Sequence, residues 1–139
     1  MAGLSIPQDF PLDALVGQQL TQICIGRHHV RMSFIKLRGV VAKVPKYQDG
    51  ANIDVEAGFR LLTASGQVVS AANSDLAAGS TGLTQLLDQT VTIVQRLSNN
   101  ELRLQFSDNS ELVLLVDPQG FESYHLHVDG ESVDVTKEW

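Results

Sequence analysis

Leu12-Asp-Ala-Leu-Val-Gly-Gln-Gln-Leu-Thr-Gln-Ile23 and Leu83-Thr-Gln-Leu-Leu-Asp-Gln-Thr-Val-Thr-Ile-Val94 read as one stretch written twice, 71 residues apart. Leu12/Leu83, Leu15/Leu86, Gln18/Gln89 and Thr21/Thr92 are identical, and Val16/Leu87, Leu20/Val91 and Ile23/Val94 keep their apolar character. One inserted residue later, Val30-Arg-Met-Ser-Phe34 matches Leu102-Arg-Leu-Gln-Phe106, and a further shift aligns Pro45 with Pro118. Self-similarity of this kind predicts two copies of one structural unit. The copies fall at about residues 11–72 and 81–136, joined by an Ala-, Gly-, Ser- and Thr-rich connector over 71–82 that holds one helical turn.

Each copy opens with a short helix. Pro11 suits a first helical position, Asp13 the positive end of the peptide dipoles and Gly17 a stop, while Ser80 or Thr81 caps the second copy ahead of the stripe Leu83, Leu86, Leu87. Helices this short hold only by packing. The remainder of each copy is strand-like: Val30, Met32 and Phe34 alternate with Arg31 and Ser33, and Leu102, Leu104 and Phe106 with Arg103 and Gln105. Alternation breaks in the same way at Leu20/Ile23 and Val91/Val94, as a bulge or burial of both faces would produce. Residues 89–116 read as a three-strand meander, with Leu112-Val-Leu-Leu-Val116 as a central strand. Lys46 to Asn52 is polar, Ala64-Ser-Gly-Gln67 is a turn, and Asp129-Gly130 between alternating runs is a hairpin signal. The predicted class is α+β, mainly β: two tandem short-helix plus antiparallel β-meander units sharing one core, in a single domain over 1–139. Strand pairing between the copies stays open between one continuous sheet and two packed ones.

Composition agrees with one folded domain. A chain of 139 residues, 43% hydrophobic and with net charge −6, has enough apolar surface for a core and too modest a charge for disorder. No apolar run is long enough to span a bilayer, the first ten residues lack a secretory pattern, and Cys24 is the one cysteine. The expectation is a cytoplasmic chain with no membrane partner, in which Cys24, between Ile23 and Ile25, is a small buried hydrophobe.

Nucleotide, metalloprotease, hydrolase-elbow and C-x-x-C signatures are all missing, which leans the reading away from an enzyme and calls for no cofactor. Two groups carry candidate chemistry. From Arg27 to Lys46 lie six basic residues and no acidic one; Arg27, His29, Arg31, Arg38 and Lys43 are the candidate binding residues, for an acidic protein partner, a second copy or a small anion. Few aromatics accompany them, which argues against nucleic acid. His125 and His127 project from one strand face and form the alternative, a metal site needing a third ligand from another strand, set against an ordinary solvated face. Residues 1–48 carry +4 and residues 49–139 carry −10, so the charge is lopsided along the chain.

Leu12-x-x-Leu-x-Gly17, Ile53-Asp-Val-Glu-x-x-Phe-x-Leu61, Leu102-x-Leu-x-Phe-Ser-Asp108 and Phe121-Glu-Ser-Tyr124 together resemble a family of small bacterial domains of unknown function. The resemblance spans most of 12–139 and implies a bacterial cytoplasmic protein. Some members of such families lie near toxin and immunity genes, which implies a protein-interaction role of the neutralising or accessory kind. The basic stretch from Ile35 to Gln48 is longer than the family's usual turn, and no active site carries over.

Overall fold

Segments with one apolar and one polar edge become strands, because only one face leaves water. In the computed structural model, which describes residues 5–73 and 75–137, these strands are β1 (Gln19–Ile25), β2 (Val30–Val41), β3 (Val44–Val55), β4 (Gly58–Leu62), β5 (Val68–Asn73), β6 (Val91–Arg96), β7 (Leu102–Phe106), β8 (Glu111–Leu114), β9 (Tyr124–Val128) and β10 (Glu131–Val135). A single turn of α-helix, α1 (Leu76–Gly79), lies in the connector, and Asp75 caps it by accepting from Ala78 N. The two opening helices are 3₁₀ turns, Leu12–Leu15 and Thr81–Leu86.

The strands form two antiparallel five-stranded sheets, ordered β1-β2-β3-β9-β10 and β6-β7-β8-β4-β5. Read in this direction, the sheets are the same object built from opposite halves. Each half supplies the first three strands of one sheet and hands its last hairpin to the other. The registers agree: Val55 opposite Tyr124 in the first sheet corresponds to Leu114 opposite Phe59 in the second.

Where the halves meet, the shift of 71 residues is visible in hydrogen bonds. Gly17 N donates to Val91 O and Asp88 N to Leu20 O (2.8 and 2.7 Å), while Val91 N donates to Gln18 O and Leu20 N to Gln89 O (2.9 and 3.0 Å). Each bond becomes its partner when the halves are exchanged. A bulge then interrupts β1 against β2 between Leu20 and Gln22, and β6 against β7 between Val91 and Ile93. The extra residues are Thr21 and Thr92, whose hydroxyls donate to Ser33 O and Gln105 O (3.3 and 3.2 Å).

Met32, Phe34, Ile53, Leu126 and Val135 from one sheet and Leu104, Phe106, Leu112, Phe59 and Leu61 from the other belong to one buried cluster, with Leu12, Leu15, Leu83 and Leu86 of the helical turns packed into it. Tyr124 sits among them and donates to Asn100 O at 2.5 Å; burial pushes its phenol well above the ordinary value. The connections between sheets touch at Ser123, whose carbonyl accepts from Glu56 N and Ala57 N (2.9 and 3.0 Å). Arg96 ties the start of the described chain to β6 by donating to Ile6 O and Pro7 O (2.7 and 2.6 Å).

Two local expectations change, and one segment takes a form that its polarity alone does not specify. The polar stretch 46–52 is strand: β2 and β3 form one long hairpin closed by Ala42 and Lys43 at φ 51° and 65°, a two-residue turn without the usual Asn-Gly. Cys24 is exposed, because the bulge at Thr21 resets the parity of β1 and places Cys24 opposite Arg31 on the wet face. Pro45 pairs with Val40 within that hairpin whereas Pro118 follows β8, so the two prolines are not equivalent.

Candidate functional site

Register brings the polar face of the first sheet together in rows. Cys24, Arg31, Asp54, His125 and Asp134 stand side by side across its five strands, and Gln22, Ser33, Asn52, His127 and Ser132 form the next row. With strands roughly 4.8 Å apart, a row spans about 19 Å. Arg31 of the basic stretch and the histidines of β9 are therefore on one face, separated by β3.

Asp54 is the pivot. Arg31 Nε donates to Asp54 Oδ1 at 2.7 Å and Nη2 to Oδ2 at 3.3 Å, and His29 Nε2 lies 3.0 Å from Oδ1. Partial burial pushes the Asp54 carboxyl up, but hydrogen bonds from Arg31 and His29 and the charge of Arg31 outweigh it and hold the group below the ordinary carboxylate range. The same contact raises the Arg31 guanidinium, through its hydrogen bond to Asp54 and then that carboxylate's charge. Two of the predicted anion ligands are thus occupied by a carboxylate of the same face. Arg27, in the β1–β2 turn, is exposed and joins none of these contacts among the described residues.

His125 Nδ1 lies 2.5 Å from Asp134 Oδ1, and His127 Nδ1 lies 2.7 Å from Ser132 Oγ. Both partners are on β10, so each ring has one nitrogen engaged by the neighbouring strand. Among the described residues no group of three or more His, Cys, Asp or Glu is placed to hold a metal ion.

Arg38 and Lys43 are elsewhere. β1 pairs with β2 only as far as Ile35, and β9 pairs with β3 only from Asn52 onward, so the hairpin between runs out as a two-stranded arm. Leu37 faces Tyr47, Val40 faces Pro45 and Val41 faces Val44. Leu37, Val40, Val41, Val44 and Tyr47 are 51–64% exposed, an unusual loss for large apolar side chains. Arg38, Lys46 and Tyr47 line a shallow depression with Gly39 and Val41. At the arm's base Lys36 Nζ reaches Asp129 Oδ1 at 3.5 Å, and among the described residues Arg38, Lys43 and Lys46 have no carboxylate partner.

The arm leaves the sheet through a built junction. Gly50 is the extra residue of a bulge opposite Phe34, and a side chain there would collide with Gln18 Oε1. That oxygen accepts from Ala51 N at 2.7 Å while Gln18 Nε2 donates to Ala14 O at 2.7 Å, so a buried amide seals the point where pairing resumes.

Sequence reasoning found the basic stretch and the paired histidines and missed Asp54, Asp134 and the arm. The outward parity of Asp54 was readable between Ile53 and Val55; its position between Arg31 and His125 depends on exchange of hairpins, which local patterning does not encode.

No protein-family model, curated protein or solved structure matches the chain. Among the described residues no helix is long and apolar enough to cross a membrane.

Proposed function

We propose that this chain is a non-enzymatic protein-interaction domain whose contact element is the β2–β3 arm. The observation that carries the reading is the arm itself: five large apolar side chains held in water beside Arg38, Lys43 and Lys46, on a ribbon the core does not require. A lone two-stranded ribbon is marginal in water, and exposing this much apolar surface brings no gain to the isolated chain. Rows of side chains on the first sheet face support the same reading, since Arg31, His29 and Asp54 satisfy one another and leave little for a substrate. The resemblance to bacterial domains found near toxin and immunity genes adds an accessory or neutralising role in a bacterial cytoplasm to the proposal.

The test compares cross-linked capture by the intact chain with capture by a chain whose residues 37–47 are replaced by Asn-Gly. Partners of the intact chain are expected to be lost with the arm. An identical set captured by both overturns the reading.

A further inference from the structure

We infer that the partner seated on the arm is a second copy of this chain, in a reciprocal exchange of arms about a twofold axis. This rests on the arm being a protein-contact element, and it commits that element to one occupant.

Charge is the first argument. Residues 36–48 contain Lys36, Arg38, Lys43 and Lys46 and no acidic residue, so with −6 on the whole chain the remainder carries −10. The surface that complements the arm is therefore present on every copy of the molecule. Lys36 shows the match within one chain, through its contact with Asp129 of the β9–β10 turn. The cations farther out extend past their own body and have no carboxylate there among the described residues. Another copy's body brings carboxylates to them.

Backbone exposure is the second. Beyond Ile35 on one strand and before Asn52 on the other, neither edge of the arm has a neighbouring strand among the described residues. Unpaired edges invite another chain, and lysine and arginine on such edges decide which one is accepted. Arm against arm sets four cations against four, so charge directs each arm to the other copy's body. A twofold exchange uses both arms and closes, leaving no free arm to continue the assembly.

The experiment is analytical ultracentrifugation of the intact chain, the arm-trimmed chain (37–47 to Asn-Gly) and the triple variant R38E/K43E/K46E. Concentrations run to about 100 μM, at about 0.05 and 0.5 M salt, a range over which the screening length falls more than threefold. The intact chain is expected to dimerise at low salt, with the dimer constant weakened at least about tenfold at high salt. Both variants are expected to sediment as monomers, with far-UV circular dichroism confirming that the sheets are intact. If the trimmed chain fails to fold, V40S/V41S/V44S takes its place. An intact chain that stays monomeric throughout overturns the inference, including the case in which it cosediments with phosphatidylserine vesicles. A dimer that survives both trimming and charge reversal overturns it too. Arm-dependent capture of a different protein by a monomeric chain sinks the self-exchange alone; failure of arm dependence in both experiments sinks the contact role as well.

Discussion

The β2–β3 and β7–β8 hairpins hold equivalent places in the two sheets, yet β7 turns back immediately after Phe106 while β2 runs on past Phe34 to Val41. The short turn is self-sufficient. Phe106 N donates to Ser110 O and Ser110 N to Asp108 Oδ1, both at 2.9 Å, and Asn109 takes the positive φ. The long one is not, since its apolar side chains face water. Up to the two phenylalanines, both buried, the halves answer the same packing demand. Beyond them the core asks for nothing, so what the first half adds there is directed outward.

The largest effect should come from separating the halves. Each sheet borrows its last two strands, so residues 1–75 or 76–139 alone leave an apolar face uncovered. Neither piece is expected to unfold cooperatively as a monomer, a loss of the whole folding free energy, about 5–15 kcal/mol for a domain; mixing them should restore the transition. A cooperative melt from one monomeric piece would show that the exchanged hairpins are dispensable.

Next in size are the paired core positions. Met32 and Leu104 occupy equivalent, fully buried sites, and Met32→Ala and Leu104→Ala should each cost about 3 kcal/mol. Because the sheets share one core, either substitution should shift a single denaturant transition seen identically by fluorescence and circular dichroism. Two separated transitions break the equivalence.

The glutamines sharpen the contrast. Gln18 is buried and holds Ala14 and Ala51, whereas its counterpart Gln89 is only half-buried and accepts from Ser107 Oγ at 2.7 Å in an exposed contact. Gln18→Ala leaves Ala51 N without its acceptor and should cost about 2 kcal/mol. Gln89→Ala should cost under about 0.5 kcal/mol. Equal costs in urea titration would mean that the arm junction needs no seal.

The sequence made some of this legible and withheld the rest for identifiable reasons. Val30-Arg-Met-Ser-Phe34 and Leu102-Arg-Leu-Gln-Phe106 declare their buried faces by alternation, and the paired bulges match the breaks at Leu20/Ile23 and Val91/Val94. The mainly-β class rests on such segments. Exchange of hairpins is invisible to alternation, because β4 is equally apolar beside β3 or β8; the choice is made by core closure. The arm was hidden by chemistry at its tip, since Ala42-Lys43 carries no turn signature and its outer strands lack a buried face to impose period two.

The polar rows give a smaller, pH-dependent contrast. The place of Asp54 is taken in the second sheet by Val113, and Arg103 reaches instead to Glu111 at 2.7 Å. Because the folded Asp54 carboxyl lies below its ordinary range, it contributes stability at pH above that range, and the contribution disappears as pH falls through the folded value. Asp54→Asn should therefore cost about 1 kcal/mol at neutral pH, discounted for the exposed Arg31 and His29, and should flatten the acid limb of stability. Glu111→Gln should change neutral stability by less than about 0.5 kcal/mol. An unaltered acid limb in the Asp54 variant would place the acid sensitivity elsewhere.

The smallest effect on folding is expected where the exposed surface is largest. Replacing 37–47 with Asn-Gly removes side chains that contribute no buried area to the core, and the shorter loop recovers a little closure entropy. Those gains offset the lost ribbon hydrogen bonds, each worth about 1 kcal/mol or less in water, so monomer stability should stay within about 0.5 kcal/mol of the intact chain. The measurement is urea unfolding at about 0.5 M salt, where screening weakens association between copies. Gln18 and Gly50 are retained in this variant, so the junction itself stays closed. A loss above about 2 kcal/mol, the scale of a buried side chain, would make the arm part of the fold and return its apolar residues to a structural role.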